Sequence, residues 1–139
     1  MSDYRPPLED IRLVLDEISD ISAICQLPGY EHVDPETVDS VLEELGRFVA
    51  EVVAPVNRIG DEEGCTVTAG VVTTPEAFGA AWDKFVEAGW GAVAQDPDYG
   101  GGGFPGAVQT VMTEMIATAS RAWSTVSYTH LTLPTSDLV

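Results

Sequence analysis

The chain has 139 residues, 45% of them hydrophobic, and a formal net charge of −17 from 23 acidic and 6 basic side chains. This length and composition suit one globular domain with a modest core, and so negative a field argues against nucleic acid or an anionic lipid surface as partner. Cys25 and Cys65 form neither a CxxC pair nor a disulfide framework, the N-terminus has no signal-peptide pattern, and no apolar run approaches the ~20 residues of a membrane span; a cytoplasmic protein without membrane insertion is expected.

Leu8, Ile11, Leu15 and Ile18 follow Pro6-Pro7 at 3-4-3 spacing and predict a helix over 8–19, resuming over Ile21 to Gln26. Pro28-Gly29 breaks it. Asp34 is a good N-cap, Pro35 fits the first helical position and Glu36 suits the positive end of the dipole. Behind them Val38, Val41, Leu42, Leu45, Phe48, Val49 and Val52 form an amphipathic stripe. They predict a helix over 36–54, with Pro55 kinking or ending it. The β-branched residues around Ala69-Gly70 predict a short ribbon over 66–73 that must lean on the helices, because two strands alone are marginal. Thr74-Pro75-Glu76 repeats the cap pattern and opens a helix over 75–88 with Phe78, Trp82, Phe85 and Val86 on one side. A loop rich in glycine and proline leads to a fourth helix over 105–120, carrying Val108, Val111, Met112, Met115, Ile116 and Ala119.

These elements predict an all-α antiparallel bundle with one short β ribbon. Val41, Leu45, Phe48, Val52, Trp82, Phe85, Val111 and Met115 are the expected core.

Little in the sequence points to chemistry. Gly101, Gly103 and Gly106 have the order of a dinucleotide-binding G-x-G-x-x-G, but Pro97 and Asp98 interrupt the strand that should precede it. An inter-helix loop is the expected role. His32 and His130 are the only histidines, and neither has ligand spacing to a cysteine, so no metal site is expected. Glu43-Glu44 and Glu62-Glu63 read as solvated surface. A Ser-His-Asp arrangement would need His130. On the residues alone, a stand-alone acidic helical interaction module remains an alternative.

Two stretches carry a resemblance. They are "VLEELGRFVAEVVAPVNRIGDEEGCTV" and "FVEAGWGAVAQDPDYGGGGFPGAVQTVMTEMI", with Ala54-Pro55-Val56-Asn57-Arg58, Gly60-Asp61, Gly89-Trp90, Pro97, Tyr99-Gly100-Gly101, Gly103, Pro105 and Glu114 in order. Through them residues 1–124 resemble the N-terminal helical domain of the acyl-CoA dehydrogenases, in the 3-methylmercaptopropionyl-CoA dehydrogenase-like subgroup. The resemblance implies a flavoprotein oxidoreductase of fatty acid metabolism, in which FAD and an acyl-CoA are enclosed jointly with a β domain and a second helical bundle. It further implies a carboxylate base that takes the α proton while the β hydrogen leaves as hydride to the flavin. An electron-accepting flavoprotein partner and a homo-oligomeric parent are implied too. The family's base and most flavin contacts lie in its later domains, so no catalytic or cofactor-binding residue is carried over, Glu114 included. The helix of Val108 to Ala119 is implied to line one wall of the acyl cavity, with Val111, Met112, Met115 and Ala119 as candidates.

The last stretch, "TVSYTHLTLPTSDLV", differs from everything upstream: it holds one charge, Asp137, among Thr, Ser and Leu. With a suitable choice of codons, Val126 to Val139 back-translates into a string resembling the mosaic-end adapter of transposase-based sequencing libraries, whose next codon would be a stop. Residues 125–139 are therefore expected to be a non-native tail on a fragment that is inactive alone.

Overall fold

The computed structural model of the chain describes residues 4–125. Six α-helices and one hairpin follow in order: α1 (Leu8–Glu17), α2 (Ile21–Cys25), α3 (Pro35–Phe48), α4 (Ala54–Glu63), β1 (Thr66–Thr68), β2 (Val71–Thr73), α5 (Glu76–Glu87) and α6 (Gly106–Ala119). Residues 121–125 are again helical. The class is the expected one, helical with a single two-stranded antiparallel ribbon. The helices expected over 8–19, 75–88 and 105–120 are α1, α5 and α6, each within two residues of its predicted ends.

Local chemistry accounts for the starts and stops. The Asp34 carboxylate accepts the Thr37 N–H at 2.7 Å with Pro35 in the first turn, the cap that the sequence announced. Asp20 does the same for α2, accepting from the Ala23 N–H at 3.1 Å. The second proline cap behaves differently. Pro75 itself is the N-cap of α5, and no side chain caps that helix.

Pro55 does not end the second long helix. α3 runs through a π turn over Val49–Val53 directly into α4, with Pro55 in α4's first turn. The Ala54 N–H reaches the Val49 carbonyl, five residues back. Widening the helix just before the proline puts the gap in the ladder where Pro55 has no N–H to donate and eases its ring past the preceding turn. The rod continues to Glu63, where Gly64 at φ 64° closes it by donating to the Gly60 carbonyl at 3.0 Å.

The core lies where this rod meets α6. Leu45, Val49, Val53 and Val108 have no exposed surface, and Trp123, beyond α6, is equally buried. Of the expected core, Leu45, Phe85, Val111 and Met115 are buried, whereas Val41, Phe48, Val52 and Trp82 are only partly so. The stripe is centred on Val38, Leu42, Leu45 and Val49, which leaves Val41, Phe48 and Val52 at its edges. Phe48 there packs on Phe85 and Trp90, with ring centroids at 6.3 and 6.1 Å. Ile18 falls outside α1 and is exposed.

The ribbon corrects a second expectation. Every residue of β1 and β2 is exposed, and Val67 and Val72, paired across it, meet solvent, as does Val71. It projects from the bundle instead of leaning on it.

Candidate functional site

Between α5 and α6 runs a groove of about 480 Å³. From α5 come Trp82, Phe85 and Val86, with the Trp82 and Phe85 rings stacked at 5.4 Å. From α6 come Gln109, Met112, Thr113, Ile116 and Ala117, spaced 3-1-3-1 as one helical face. Gly89, Gly91 and Ala92 line it from the turn after α5, and Arg121, Ser124 and Thr125 from the segment after α6.

The groove exists because α6 carries apolar residues on two sides, with Thr110, Glu114 and Thr118 left on its exposed face. One side, with Val108, Val111, Met115 and Ala119, is buried against the rod. The other presents Met112 and Ile116 to α5, whose own aromatic face is shared between core and groove. A helix apolar on both sides is built to be covered on both.

Of the four candidate wall residues, Met112 lines the groove. Val111, Met115 and Ala119 lie behind it in the core and do not line it. Glu114 is exposed and outside the lining. Burial, then the Glu114 charge, holds the Tyr4 phenol above its ordinary pKa, and the Tyr4 hydroxyl donates to the Met115 carbonyl at 3.2 Å.

The lining also holds residues that sequence reasoning passed over: Gln109, Thr113 and Ala117, four apart along α6, and Arg121 beyond its end. The stronger stripe from Val108 to Ala119 masked this second one. The Gln109 Oε1 is buried and has no hydrogen-bond partner among the described residues. Trp123, also unforeseen, closes the bundle behind the groove: its indole N–H donates to the Phe78 carbonyl at 3.1 Å.

The glycine loop is fully committed to its own backbone. The amides of Gly100, Gly101, Gly102, Gly103 and Phe104 donate to the carbonyls of Pro97, Asp96, Ala92, Gln95 and Val93 in turn, at 2.8–3.0 Å. A Cβ on Gly102 would sit 2.6 Å from the Val93 carbonyl oxygen, and one on Gly101 would strike that of Gln95. The His32 Nε2 donates to the Gly102 carbonyl at 3.2 Å and pins the loop to the segment before α3. No amide between Gly100 and Phe104 is left to receive a phosphate.

The remaining candidates are surface groups. Glu43 pairs with Arg12 at 2.8 Å, Glu44 with Arg47 at 2.9 Å and Glu62 with Arg58 at 2.7 Å, and Asp39 also holds Arg12. Burial raises the Cys25 thiol above its ordinary pKa, with a smaller push from Asp34; Cys65 is exposed. Among the described residues no group of three or more His, Cys, Asp or Glu is placed to hold a metal. None of their helices is long and apolar enough to cross a membrane. His130 lies outside the described residues.

Comparison with known proteins gives two matches. The family described as acyl-CoA dehydrogenase, N-terminal domain, matches residues 35–138. A 3-methylmercaptopropionyl-CoA dehydrogenase from Ruegeria pomeroyi is 32% identical over 120 residues, 86% of this chain and 20% of that protein. The chain thus spans about a fifth of that relative's length.

Proposed function

Because the chain belongs to the acyl-CoA dehydrogenase family, whose N-terminal domain it matches, we propose that it is the N-terminal helical part of an FAD-dependent enzyme that desaturates an acyl-CoA thioester between its α and β carbons. The groove between α5 and α6 carries this reading. Its lining includes Trp82, Phe85, Val86, Met112 and Ile116, and each methylene withdrawn from water there gains about 0.8 kcal/mol. Met112 touches the acyl chain, while Val111, Met115 and Ala119 hold α6 in place from behind. The relative's substrate is a thioether acyl group by name; a methionine beside two aromatic rings suits such a sulfur as well as an alkyl chain.

FAD is the cofactor of this proposal, and it supplies the hydride acceptor when bound. The glycine loop does not fit its pyrophosphate, because the amides that would cradle it are taken. No step through the flavin is therefore assigned to residues 4–125. Their part is to bind the acyl chain and exclude water from one side of it. The base, an electron-accepting flavoprotein partner, homo-oligomeric assembly and a cytoplasmic setting belong to the whole enzyme in this reading.

The test uses the tryptophan in the lining. Titrating octanoyl-CoA into the chain should change Trp82 fluorescence saturably, and Ala117→Trp, which fills the groove, should abolish the change. A flat titration, or one that Ala117→Trp leaves intact, would remove the groove from the acyl site.

A further inference from the structure

Arg121 is the one cation in the groove lining. Arg12, Arg47 and Arg58 each hold a carboxylate. Arg121, like Arg5 and Lys84, makes no ion pair with any described residue. It lies past the extended Ser120 that ends α6 and lines the groove together with Ser124 and Thr125. The same lining includes Trp82, Phe85, Met112 and Ile116. The groove lining is therefore largely apolar, with one cation, from the exposed segment after α6.

We propose that this groove takes an amphipathic oxyanion, with its apolar chain between α5 and α6 and its carboxylate or phosphate head on the Arg121 guanidinium. The proposal rests on the acyl-groove reading above and deepens it by fixing which end of the ligand lies where. A net charge of −17 repels anions from the molecule as a whole, so a lone rim cation decides where an anionic head can settle. Arginine suits the task, since its planar fork meets both oxygens of a carboxylate or phosphate. Two sources share this chemistry: a carboxylate on the acyl chain itself, or a phosphate of the carrier.

The experiment titrates sodium decanoate, decanol and decanoyl-CoA into the full chain and its Arg121→Gln variant, read by tryptophan fluorescence. Arg121 is exposed, so the variant keeps the fold, which circular dichroism checks. Decanoate should bind the native chain about tenfold more tightly than decanol, the scale of one charge-assisted contact. Arg121→Gln should erase that advantage and leave decanol unchanged, and added salt should reduce it. A matching loss for decanoyl-CoA assigns the head to the carrier phosphate; a loss confined to decanoate assigns it to a carboxylate on the chain. Equal binding of decanoate and decanol, no binding of either, or decanoate binding untouched by Arg121→Gln would overturn the proposal. If decanoyl-CoA fails to bind while decanoate depends on Arg121, the anion site stands and the acyl-CoA reading falls.

Discussion

The indole N–H of Trp123 donates to the backbone carbonyl of Phe78 across 3.1 Å and fastens the segment after α6 to the first turn of α5. Trp123 is fully buried, edge-on to Phe85 at 5.7 Å and 6.3 Å from Trp82. Trp123→Phe keeps much of the packing but loses this bond, while the Phe78 carbonyl keeps its place in the α5 ladder, and should cost about 0.5–1.5 kcal/mol. Trp123→Ala should cost about 3–5 kcal/mol. Urea unfolding of the two variants reads both, and a phenylalanine variant as stable as the native chain would show that the bond contributes nothing.

Gly60 and Gly79 should respond in opposite ways to alanine. A Cβ on Gly60 would lie 2.6 Å from the Phe78 ring, which is buried and has little room to yield. Overpacking of that kind costs about 1–3 kcal/mol, more than the ~1 kcal/mol that alanine gains over glycine within a helix. Gly79, on exposed α5 surface, meets nothing within 4 Å, so Gly79→Ala should stabilise by up to about 1 kcal/mol. Melting temperatures that move together would refute the close approach of Phe78 to α4.

The readable elements were those whose signal is local. Asp34-Pro35 marks a helix start by hydrogen-bond chemistry that needs no tertiary partner, and the 3-4 spacing of α1, α5 and α6 survives any packing. Pro55 misled because the local rule stops a helix there, while the buried side chains on either side, Val53 and Val56, hold the rod together and shift the disruption into a π turn. The ribbon misled because β-branched residues fix strand conformation without saying which face is covered. The groove was half legible. The face from Gln109 to Ala117 is written at helical spacing, yet only the juxtaposition of α5 with α6 turns it into a site. Trp123 sits beyond the break at Ser120, where no stripe points to it.

Acid should weaken the start of α3. The Asp34 carboxyl is held below its ordinary pKa of 3.8, first by the Thr37 backbone N–H and then by the Thr37 side chain. A group whose pKa falls on folding lends stability above its unfolded value and loses it as pH drops through the folded one. The Asp34 contribution should thus be whole above about pH 4 and fade below it. Asp34→Asn retains an acceptor but no titratable group, so its melting temperature should fall less steeply between neutral pH and pH 3 than that of the native chain. Identical slopes would mean that the cap does not depend on charge.

Deleting Val126 to Val139 tests the reading of that stretch as non-native. A non-native stretch would leave the melting temperature unchanged or raised, because a segment never selected to pack has nothing to lose. The family match, however, extends through residue 138. A clear fall on deletion would make the stretch a native part of the domain and retire the adapter reading.

The last expectation is that the chain alone neither retains FAD nor oxidises an acyl-CoA. The glycine loop has no free amide between Gly100 and Phe104 for a pyrophosphate. Glu114, the carboxylate on α6, is exposed and lies outside the groove lining. Without a positioned base, proton abstraction forgoes about 10²–10⁴-fold in rate, and without the flavin the hydride has no acceptor at all. The preparation should be colourless after desalting from FAD and inert toward octanoyl-CoA with FAD and a dye acceptor supplied. A stoichiometric flavin spectrum with turnover would overturn this, and would require a base and a flavin site within these 139 residues.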